Sequence, residues 1–321
     1  MKAGIVSSIR KAEVVEIGLP EISDQEILVK VEACAICTFE QRIFDGVKKV
    51  NYPYLGGHEI SGTIARTGKN ISEKWAAGQR VAVKTLDQCG QCRYCHMGET
   101  TMCEMIGKSG RRVPEMDGIG GLAEFIKVTP NMIFPLPEDI PPEVAALTEP
   151  LACVIHSMDR AAIDFGDTVV VFGAGIMGLL HLELALLRGA RVIVSEVDLR
   201  RRQRAQALGA WKVINPLEIN VSEWVKENTK GEGADVVIST PNLPGIVLDA
   251  MDMVRSGGKI VLYGSYHPDV PVPISLNKIH YSQIILTGAV NPGNHDFQRA
   301  TRMIAGRKPV IIRHIPSSKA T

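Results

Sequence analysis

Residues 168–178 read TVVVFGAGIMG, and this stretch decides how the second half of the chain folds. Its first five residues form a continuous apolar run, which is typical of a buried strand in a parallel sheet. Three glycines follow, and the residues after them predict a helix over 179–187. A strand, a glycine-rich turn and a helix in this order are the context that a dinucleotide-binding fingerprint requires.

Each glycine of this turn has a distinct predicted role. Gly173 permits the tight turn, Gly175 lets a pyrophosphate approach the backbone, and Gly178 allows close packing of the helix. The pyrophosphate would lie at the helix N-terminus, where free N–H groups and the helix dipole favour negative charge.

The next predicted strand, 191–195, ends in an acid that bears on the choice of cofactor. Glu196 is placed to accept hydrogen bonds from ribose hydroxyls, and its charge would repel a 2′-phosphate, so NAD is predicted rather than NADP. An arginine of the run 200–204 could instead bind a 2′-phosphate, although a solvated basic helix face is the plainer interpretation of most of that run. The predicted cofactor-binding residues are Gly173, Gly175, Ile176, Met177, Gly178, Glu196 and Arg201.

The rest of the chain divides around this motif. Further strand and helix patterns continue to about residue 284 and predict a doubly wound parallel sheet. Before it, four prolines between 135 and 142 mark a domain boundary. The first part alternates apolar and polar residues, which favours short antiparallel strands. The predicted fold class is therefore α/β with a separate β-rich domain.

Four cysteines lie within fifteen residues of the β-rich part: Cys89, Cys92, Cys95 and Cys103. Four thiolates complete a tetrahedral zinc site without an open position for substrate, so this cluster is predicted to be structural. Disulfides are the alternative, but two consecutive two-residue spacings are hard to bridge covalently.

A second metal site is predicted from sparser residues. Cys37 and His58 supply a sulfur and a nitrogen ligand, and a carboxylate of Glu59 or Glu149 is the candidate third ligand of a zinc ion that keeps an open position. A lone histidine is more often an ordinary core or surface residue, but the glycines before His58 and the acid after it favour a ligand. Such a zinc ion acts as a Lewis acid, and electrons must pass to a nicotinamide because zinc has no redox chemistry.

Composition narrows the class of partner. The formal net charge is +1, with no long basic run, so no nucleic-acid surface is predicted. No apolar run approaches the roughly 20 residues that span a bilayer, and the N-terminus lacks the apolar core of a signal peptide. We therefore expect a cytoplasmic protein that binds small molecules and no membrane.

These motifs together resemble those of the zinc-dependent medium-chain dehydrogenases, in particular the branch with sorbitol and threonine dehydrogenases. The resemblance covers nearly the whole sequence. It rests on the Cys37 segment, Gly57-His58-Glu59, the four cysteines, Glu149-Pro150-Leu151 and the turn 173–178.

The resemblance implies a GroES-like β-barrel catalytic domain over 1–150, completed by 285–321, and a Rossmann NAD-binding domain over 151–284. It also implies two zinc ions per chain. Cys37 and His58 match ligands of the catalytic zinc, Glu59 matches a carboxylate that binds the metal directly or exchanges with water, and Glu149 stands near the metal where others have a cysteine. A homodimer or homotetramer is expected.

The sequence departs from the family in two places. Phe39 and Arg42 stand where a hydroxyl and a histidine usually relay a proton, and Thr38 is one position early. Proton release is therefore expected to use a metal-bound water with Glu59 or Glu149. Arg42 either lies on a helix surface or favours a substrate with a carboxylate or phosphate. In relatives, a further strand and helix follow the segment that resembles 311–320, so we expect that the chain is truncated or that these elements are disordered or absent.

The implied activity is hydride transfer between NAD and a secondary alcohol of a polyol or sugar. A threonine-type amino alcohol or a sugar acid is an alternative substrate. A different class remains open, namely a dinucleotide-binding redox sensor or structural protein without turnover. The missing relay supports that class, whereas the retained metal ligands oppose it.

Overall fold

The structure is a computed structural model, and it describes residues 1–106, 108, 113 and 116–307. Two compact units are present. One consists of Met1–Ala152 with residues 292–307, and the other of Cys153–Asn291. The predicted completion of the first domain by 285–321 stays a prediction, and its last part, 308–321, lies outside the described residues.

The strands and helices of the described residues are numbered in chain order. The strands are β1 (Lys2–Ser8), β2 (Lys11–Glu16), β3 (Ile27–Ala35), β4 (Tyr54–Leu55), β5 (Glu59–Thr67), β6 (Arg80–Val83), β7 (Asp117–Gly118), β8 (Phe125–Val128), β9 (Ile133–Pro135), β10 (Thr168–Phe172), β11 (Arg191–Ser195), β12 (Lys212–Ile214), β13 (Ala234–Ser239), β14 (Val254–Leu262) and β15 (Ile285–Gly288). The helices are α1 (Thr38–Phe44), α2 (Arg93–His96), α3 (Pro142–Ala146), α4 (Thr148–Ala161), α5 (Ile176–Leu187), α6 (Leu199–Ala207), α7 (Val221–Asn228), α8 (Gly245–Met253), α9 (Leu276–Ser282) and α10 (Asn294–Ala305). No helix in the described part of the chain is both long and apolar enough to cross a membrane.

The second unit is built on a six-stranded sheet in the order β12-β11-β10-β13-β14-β15. Every neighbouring pair is parallel. Renumbered within the unit, the order is 3-2-1-4-5-6, which is that of a dinucleotide-binding sheet. Strand β10 lies between β11 and β13, so its Val169, Val170 and Val171 are fully buried, as the continuous apolar run predicts.

The first unit contains two smaller sheets. A five-stranded antiparallel sheet has the order β8-β3-β5-β6-β9, and a four-stranded mixed sheet has the order β2-β1-β4-β7. The larger sheet covers a core in which Ile27, Val29, Val81, Val83 and Ile126 are fully buried. Strand β5 lies at its centre, which fixes the position of Glu59 at the start of that strand.

The apolar pattern over 143–160 predicts one helix, but the structure has two, α3 and α4, separated at Leu147. Pro150 explains the break because it has no N–H to donate to the carbonyl four residues before it. Thr148 caps the junction, since its hydroxyl donates to the carbonyl of Ala145 at 2.7 Å. The break places Glu149 in the first turn of a new helix.

Candidate functional site

The four predicted structural cysteines lie together in the first unit. The Sγ atom of Cys103 is 3.6 Å from that of Cys89 and 4.0 Å from that of Cys92, and Cys95 belongs to the same group of ligand atoms. These separations far exceed a disulfide bond of about 2.05 Å. They match the edge of about 3.8 Å in a tetrahedron whose centre is about 2.3 Å from each sulfur, the usual zinc–sulfur distance.

Backbone N–H groups point at two of these sulfur atoms and favour their thiolates, whereas burial raises the pKa of Cys95 to about 12. The N–H groups of Cys89 and Met105 each donate to Cys103 Sγ at 3.4 Å, and those bonds hold the pKa of Cys103 below its usual value. Bonds from the backbone of Glu104 and of Cys95 likewise lower the pKa of Cys92 to about 6. Thiolates are the form that binds zinc, so this set of donors fits a structural zinc ion.

A second group of possible ligands comprises Cys37, His58 and Glu59, and we call it the Cys37 cluster. One ligand atom from each residue lies within 4.8 Å of the others. Cys37 directly precedes α1, while His58 directly precedes β5 and Glu59 opens it. Strands β3 and β5 pair Ala35 with Glu59, which brings the end of β3 and therefore Cys37 to the same edge.

A glycine with a positive φ lies directly before His58. Gly57 adopts a φ of +92°, and a Cβ there would lie 2.6 Å from the backbone nitrogen of Leu122 and 2.8 Å from Cys34 Sγ. Such a conformation and such contacts suit only glycine. His58 is therefore held in place by a backbone that has no room to rearrange.

Glu40 is a residue of the site that the sequence analysis did not identify. Its side chain is buried, and Oε1 accepts hydrogen bonds from the backbone N–H of Gly57 at 3.0 Å and from His58 Nδ1 at 2.9 Å. Oε2 accepts from the N–H of Cys37 at 3.1 Å. The bond to Nδ1 leaves Nε2 as the nitrogen available to a metal ion, the arrangement in which a carboxylate orients a ligating histidine.

The electrostatics of the cluster are dominated by acids. Burial opposes a charge on His58, but its hydrogen bonds to Cys37 and Glu40 raise the pKa to about 11, and the charge of Glu149 adds to this effect. Burial, followed by the charge of Glu149, raises the pKa of Glu59 to about 7. Burial also acts to raise the pKa of Glu40, but the bond and charge of His58 hold it below its usual range. The site thus attracts a cation, and its sulfur, nitrogen and oxygen donors fit zinc.

Glu149 lies near enough to influence His58 and Glu59, but the group defined by mutual distances under 4.8 Å does not contain it. It is half-buried in α4. Glu59 therefore adjoins Cys37 and His58 in the described structure, and Glu149 is a further carboxylate whose charge acts on Glu59 and His58.

The positions of the usual proton relay carry other groups. Phe39 is half-buried, and its ring packs against that of His58 with centroids 5.5 Å apart and planes at 79°. The hydroxyl of Thr38 lies 3.9 Å from Cys37 Sγ and is exposed. The backbone carbonyl of Arg42 accepts from Lys48 N. An apolar ring thus occupies the place where a hydroxyl would pass on a proton.

In the second unit, the glycine turn connects β10 to α5. Gly173 has a φ of +87°, and a Cβ at Gly178 would lie 2.0 Å from the carbonyl oxygen of Gly173. Nothing lies within 4 Å of a Cβ built at Gly175, which precedes α5. Ile176 and Met177 form the first turn of that helix. The turn therefore has open space at Gly175, where a pyrophosphate would approach.

Glu196 follows β11 and is buried beside this turn. Its Oε2 accepts from the N–H of Ala174 at 2.7 Å, and its Oε1 accepts from the N–H of Asp198 at 2.9 Å. Arg201 Nη1 lies 3.9 Å from Oε2, and most of that side chain is exposed. The predicted acid and the glycine turn are therefore adjacent, and Arg201 lies beside them.

Comparison with protein families gives two matches. The alcohol dehydrogenase GroES-like domain matches residues 23–138, and the zinc-binding dehydrogenase domain matches residues 177–306.

Individual proteins are similar over most of the chain. Sorbitol dehydrogenase of Bacillus subtilis is 31% identical over 82% of this chain and 75% of its own length. An L-threonine 3-dehydrogenase of Pyrococcus horikoshii is 32% identical over 86% of this chain and 79% of its own length. A solved zinc-binding dehydrogenase of Sinorhizobium meliloti, bound to NADP, superposes with a TM-score of 0.87 at 28% identity and covers 100% of this chain and 97% of its own.

Proposed function

The chain belongs to the zinc-binding alcohol dehydrogenase family, and from that premise we propose that it oxidises a secondary alcohol of a polyol or sugar-like substrate with NAD. The observation that carries the proposal is the Cys37 cluster, in which a thiol, an imidazole and a carboxylate converge within 4.8 Å. Sorbitol dehydrogenase and L-threonine 3-dehydrogenase among the similar proteins support a small hydroxylated substrate.

The residues present fit two zinc ions per chain, one held by the four cysteines and one by Cys37, His58 and a carboxylate of Glu59 or Glu149. A zinc ion at the second site would polarise the substrate oxygen, and the nicotinamide would accept the hydride. Glu40 keeps the Nδ1 proton of His58 in a hydrogen bond and so fixes the ring orientation.

Proton transfer cannot use the usual relay of a hydroxyl and a histidine, because Phe39 and Arg42 stand at those positions. Phe39 has no exchangeable proton, and its ring packs edge-on against that of His58. We assign acceptance of the alcohol proton to a carboxylate oxygen of Glu59 or Glu149, since Glu59 offers a ligand atom within 4.8 Å of His58 and the charge of Glu149 acts on His58. The retained ligands oppose the alternative of a binding protein without turnover, because such a protein has no use for them.

For the cofactor we propose NAD. A carboxylate at Glu196 favours ribose hydroxyls and repels a 2′-phosphate. The proposed contacts come from Gly173, Gly175, Ile176, Met177 and Gly178 around the pyrophosphate, with Glu196 and Arg201 at the adenosine end. The NADP bound to the Sinorhizobium meliloti protein makes the comparison of the two cofactors a necessary test.

Metal analysis and an activity screen test the proposal. We expect about two zinc ions per chain, one of which is lost in Cys37→Ala, and NADH production with at least one polyol, sugar acid or amino alcohol. A single zinc ion that survives Cys37→Ala would overturn the catalytic site. A higher kcat/KM with NADP than with NAD would overturn the assignment of Glu196.

We also propose that the protein forms a homodimer or homotetramer in the cytoplasm. Exposed apolar residues lie on and beside the edge strand β15, which supports association of two copies. Four cysteines grouped at metal-ligand distances, with no disulfide bond among them, fit a reducing compartment.

A further inference from the structure

A lysine side chain lies one aromatic ring away from the Cys37 cluster. Lys48 Nζ is 4.7 Å from the centroid of the Phe39 ring, and that ring packs against His58. The ring thus separates an ammonium group from the imidazole proposed to bind the metal. Neither the proposed hydride transfer nor the proposed metal sites use this lysine.

After α1 the chain reverses direction, and the backbone of Lys48 contacts that helix again. After the helix, the N–H of Asp45 donates to the carbonyl of Gln41, and the N–H of Lys48 donates to the carbonyl of Arg42 at 3.0 Å. Gly46 makes the reversal possible with a φ of +74°. Backbone hydrogen bonds therefore hold the Lys48 backbone against the C-terminal half of α1, and the side chain reaches the ring of Phe39 in the first turn of that helix.

Within the described part of the chain, no carboxylate forms an ion pair with Lys48. Among these residues its ammonium group interacts with the ring of Phe39, through a cation–π contact. At an exposed position that contact is worth about 0.5–1 kcal/mol. It orients the ammonium group without neutralising it, whereas Glu40 is already occupied by three hydrogen bonds. An anion from outside the protein can therefore bind Lys48.

We propose that Lys48 is a specificity-determining residue that favours alcohols bearing a carboxylate or phosphate group over neutral polyols. The inference rests on the proposed function, because it assumes that the hydroxyl to be oxidised lies at the Cys37 cluster. An ammonium group binds either anion as a point charge. The Phe39 ring between the two positions favours a substrate whose anionic group lies away from the reacting hydroxyl along the carbon chain.

The test compares three alcohols with the same six-carbon chain: glucitol, gluconate and glucitol 6-phosphate. For the wild type, we expect kcat/KM to be at least 10-fold higher for one of the charged alcohols than for glucitol, and the identity of that alcohol distinguishes carboxylate from phosphate. This preference should shrink as salt is raised from 20 mM to 500 mM, because salt screens exposed charges.

Variants assign the preference to one side chain. Lys48→Gln should raise KM for the preferred charged alcohol about 10-fold while kcat and the kinetics with glucitol stay unchanged, and Lys48→Arg should retain most of the preference. Lys49→Gln is the matched control, since Lys49 is a neighbouring exposed lysine without the ring contact. Calorimetric Kd values for the same alcohols with NADH-bound protein give a readout without turnover.

Unchanged KM and Kd values in Lys48→Gln would overturn the inference and leave the oxidoreductase function standing. Failure of all three alcohols and of the wider screen to yield NADH would overturn the proposed function. In that case the calorimetric Kd values still decide whether Lys48 binds an anion.

Discussion

At the scale of single residues, Glu40 joins the two halves of the proposed catalytic metal site. One carboxylate contacts the backbone before α1, the glycine before His58 and the imidazole itself. It acts through His58 and Cys37 rather than on the substrate, so it is a positioning residue. A metal bound at the Cys37 cluster therefore depends on a side chain that does not touch it.

Glu40→Gln tests that dependence. The amide keeps the shape but loses the charge that holds the Nδ1 proton, so we expect zinc affinity at the Cys37 cluster to fall 10- to 100-fold. Competition with a chromogenic chelator measures this, and zinc at the four cysteines serves as the internal reference. Glu40→Asp should recover part of the loss because it restores the charge. Glu13→Gln, on exposed β2, is the control, and an unchanged affinity in Glu40→Gln would contradict the proposed role.

Sequence reasoning proposed Cys37, His58 and Glu59 from their residue types and from the two glycines before His58, but it missed Glu40. The only signal in the sequence was the spacing Cys37-x-x-Glu40, which fits a helix start as well as a site. The contacts that give Glu40 its role come from pairing of β3 with β5, which brings Gly57 and His58 to α1. Such a role depends on residues distant in sequence, and no local pattern reports it.

In the second unit, the buried His181 leads to a prediction of how the free energy of unfolding depends on pH. Its ring is fully buried, with Nδ1 2.8 Å from the carbonyl of Met177 and Nε2 2.9 Å from Ser157 Oγ, and burial lowers its pKa to about 4. Because the unfolded chain binds this proton near pH 6.5 and the folded chain does not, stability should decline as pH falls from 6.5 towards 4.

The loss in free energy of unfolding that is attributable to His181 should reach about 3 kcal/mol, at 1.36 kcal/mol per pKa unit. Urea unfolding between pH 7 and 4.5 measures it, with fluorescence of Trp211 and Trp224 as probes of the same unit and Trp75→Phe as the background. His181→Gln should lose this part of the pH dependence. Identical pH profiles for the two proteins would show that the buried ring does not control it.

At the scale of elements, the turn between β10 and α5 separates two requirements for glycine. Gly178 is required for packing, because its Cβ would collide with the carbonyl oxygen of Gly173. Gly175 is free of such contacts and has a φ of −66°, which any residue adopts. We therefore propose that the missing side chain of Gly175 serves a bound dinucleotide rather than the fold.

Matched alanine substitutions test this separation. Gly178→Ala should destabilise the protein by about 1–3 kcal/mol or more, because the backbone must move to make room. Gly175→Ala should cost less than about 1 kcal/mol, as a weaker helix cap, yet raise the Kd for NADH at least 10-fold. Thermal unfolding and NADH fluorescence titration measure the two effects. Equal losses of stability with no selective loss of NADH binding would refute the distinction.

Elements were predicted well where one local signal decides them. The continuous run 168–172 indicates β10, and the alternation of strands and helices indicates the parallel sheet. The break between α3 and α4 was missed because apolar periodicity continues through it, whereas the missing N–H of Pro150 interrupts the hydrogen bonds.

At the scale of the whole molecule, the fold class predicted from the sequence is confirmed: a GroES-like domain and a Rossmann sheet. The order of strands within that sheet depends on how the connecting helices cross over it. The glycine fingerprint does not encode that order and predicts it only because it indicates a family with a known fold. The extent of the first domain beyond residue 307 remains a prediction.

Association through the edge of the six-stranded sheet is the prediction at this scale. Strand β15 pairs with β14 on one side, and Ile285 on it is 50% exposed, with Tyr281 and Val290 exposed nearby. Edge strands with apolar side chains tend to pair with further chains. We expect a dimer or tetramer by size-exclusion chromatography with light scattering, and a shift towards the monomer in Ile285→Lys.

Leu217→Lys is the control for that shift, because Leu217 is 80% exposed in a turn outside the strands. Circular dichroism should show that both variants remain folded. A wild-type protein that stays monomeric at micromolar concentrations would contradict association through β15.

The four-cysteine cluster also has a consequence for the amount of protein that accumulates in a cell. Its segment contains only the four-residue helix α2 and a short 3₁₀ turn at Thr100–Met102, so regular hydrogen bonding contributes little to its shape. Where few other contacts order a segment, metal binding and folding are one event. Newly made chains in zinc-starved cells should therefore carry this segment as an open substrate for proteases, and the steady-state amount of enzyme should follow the supply of the metal.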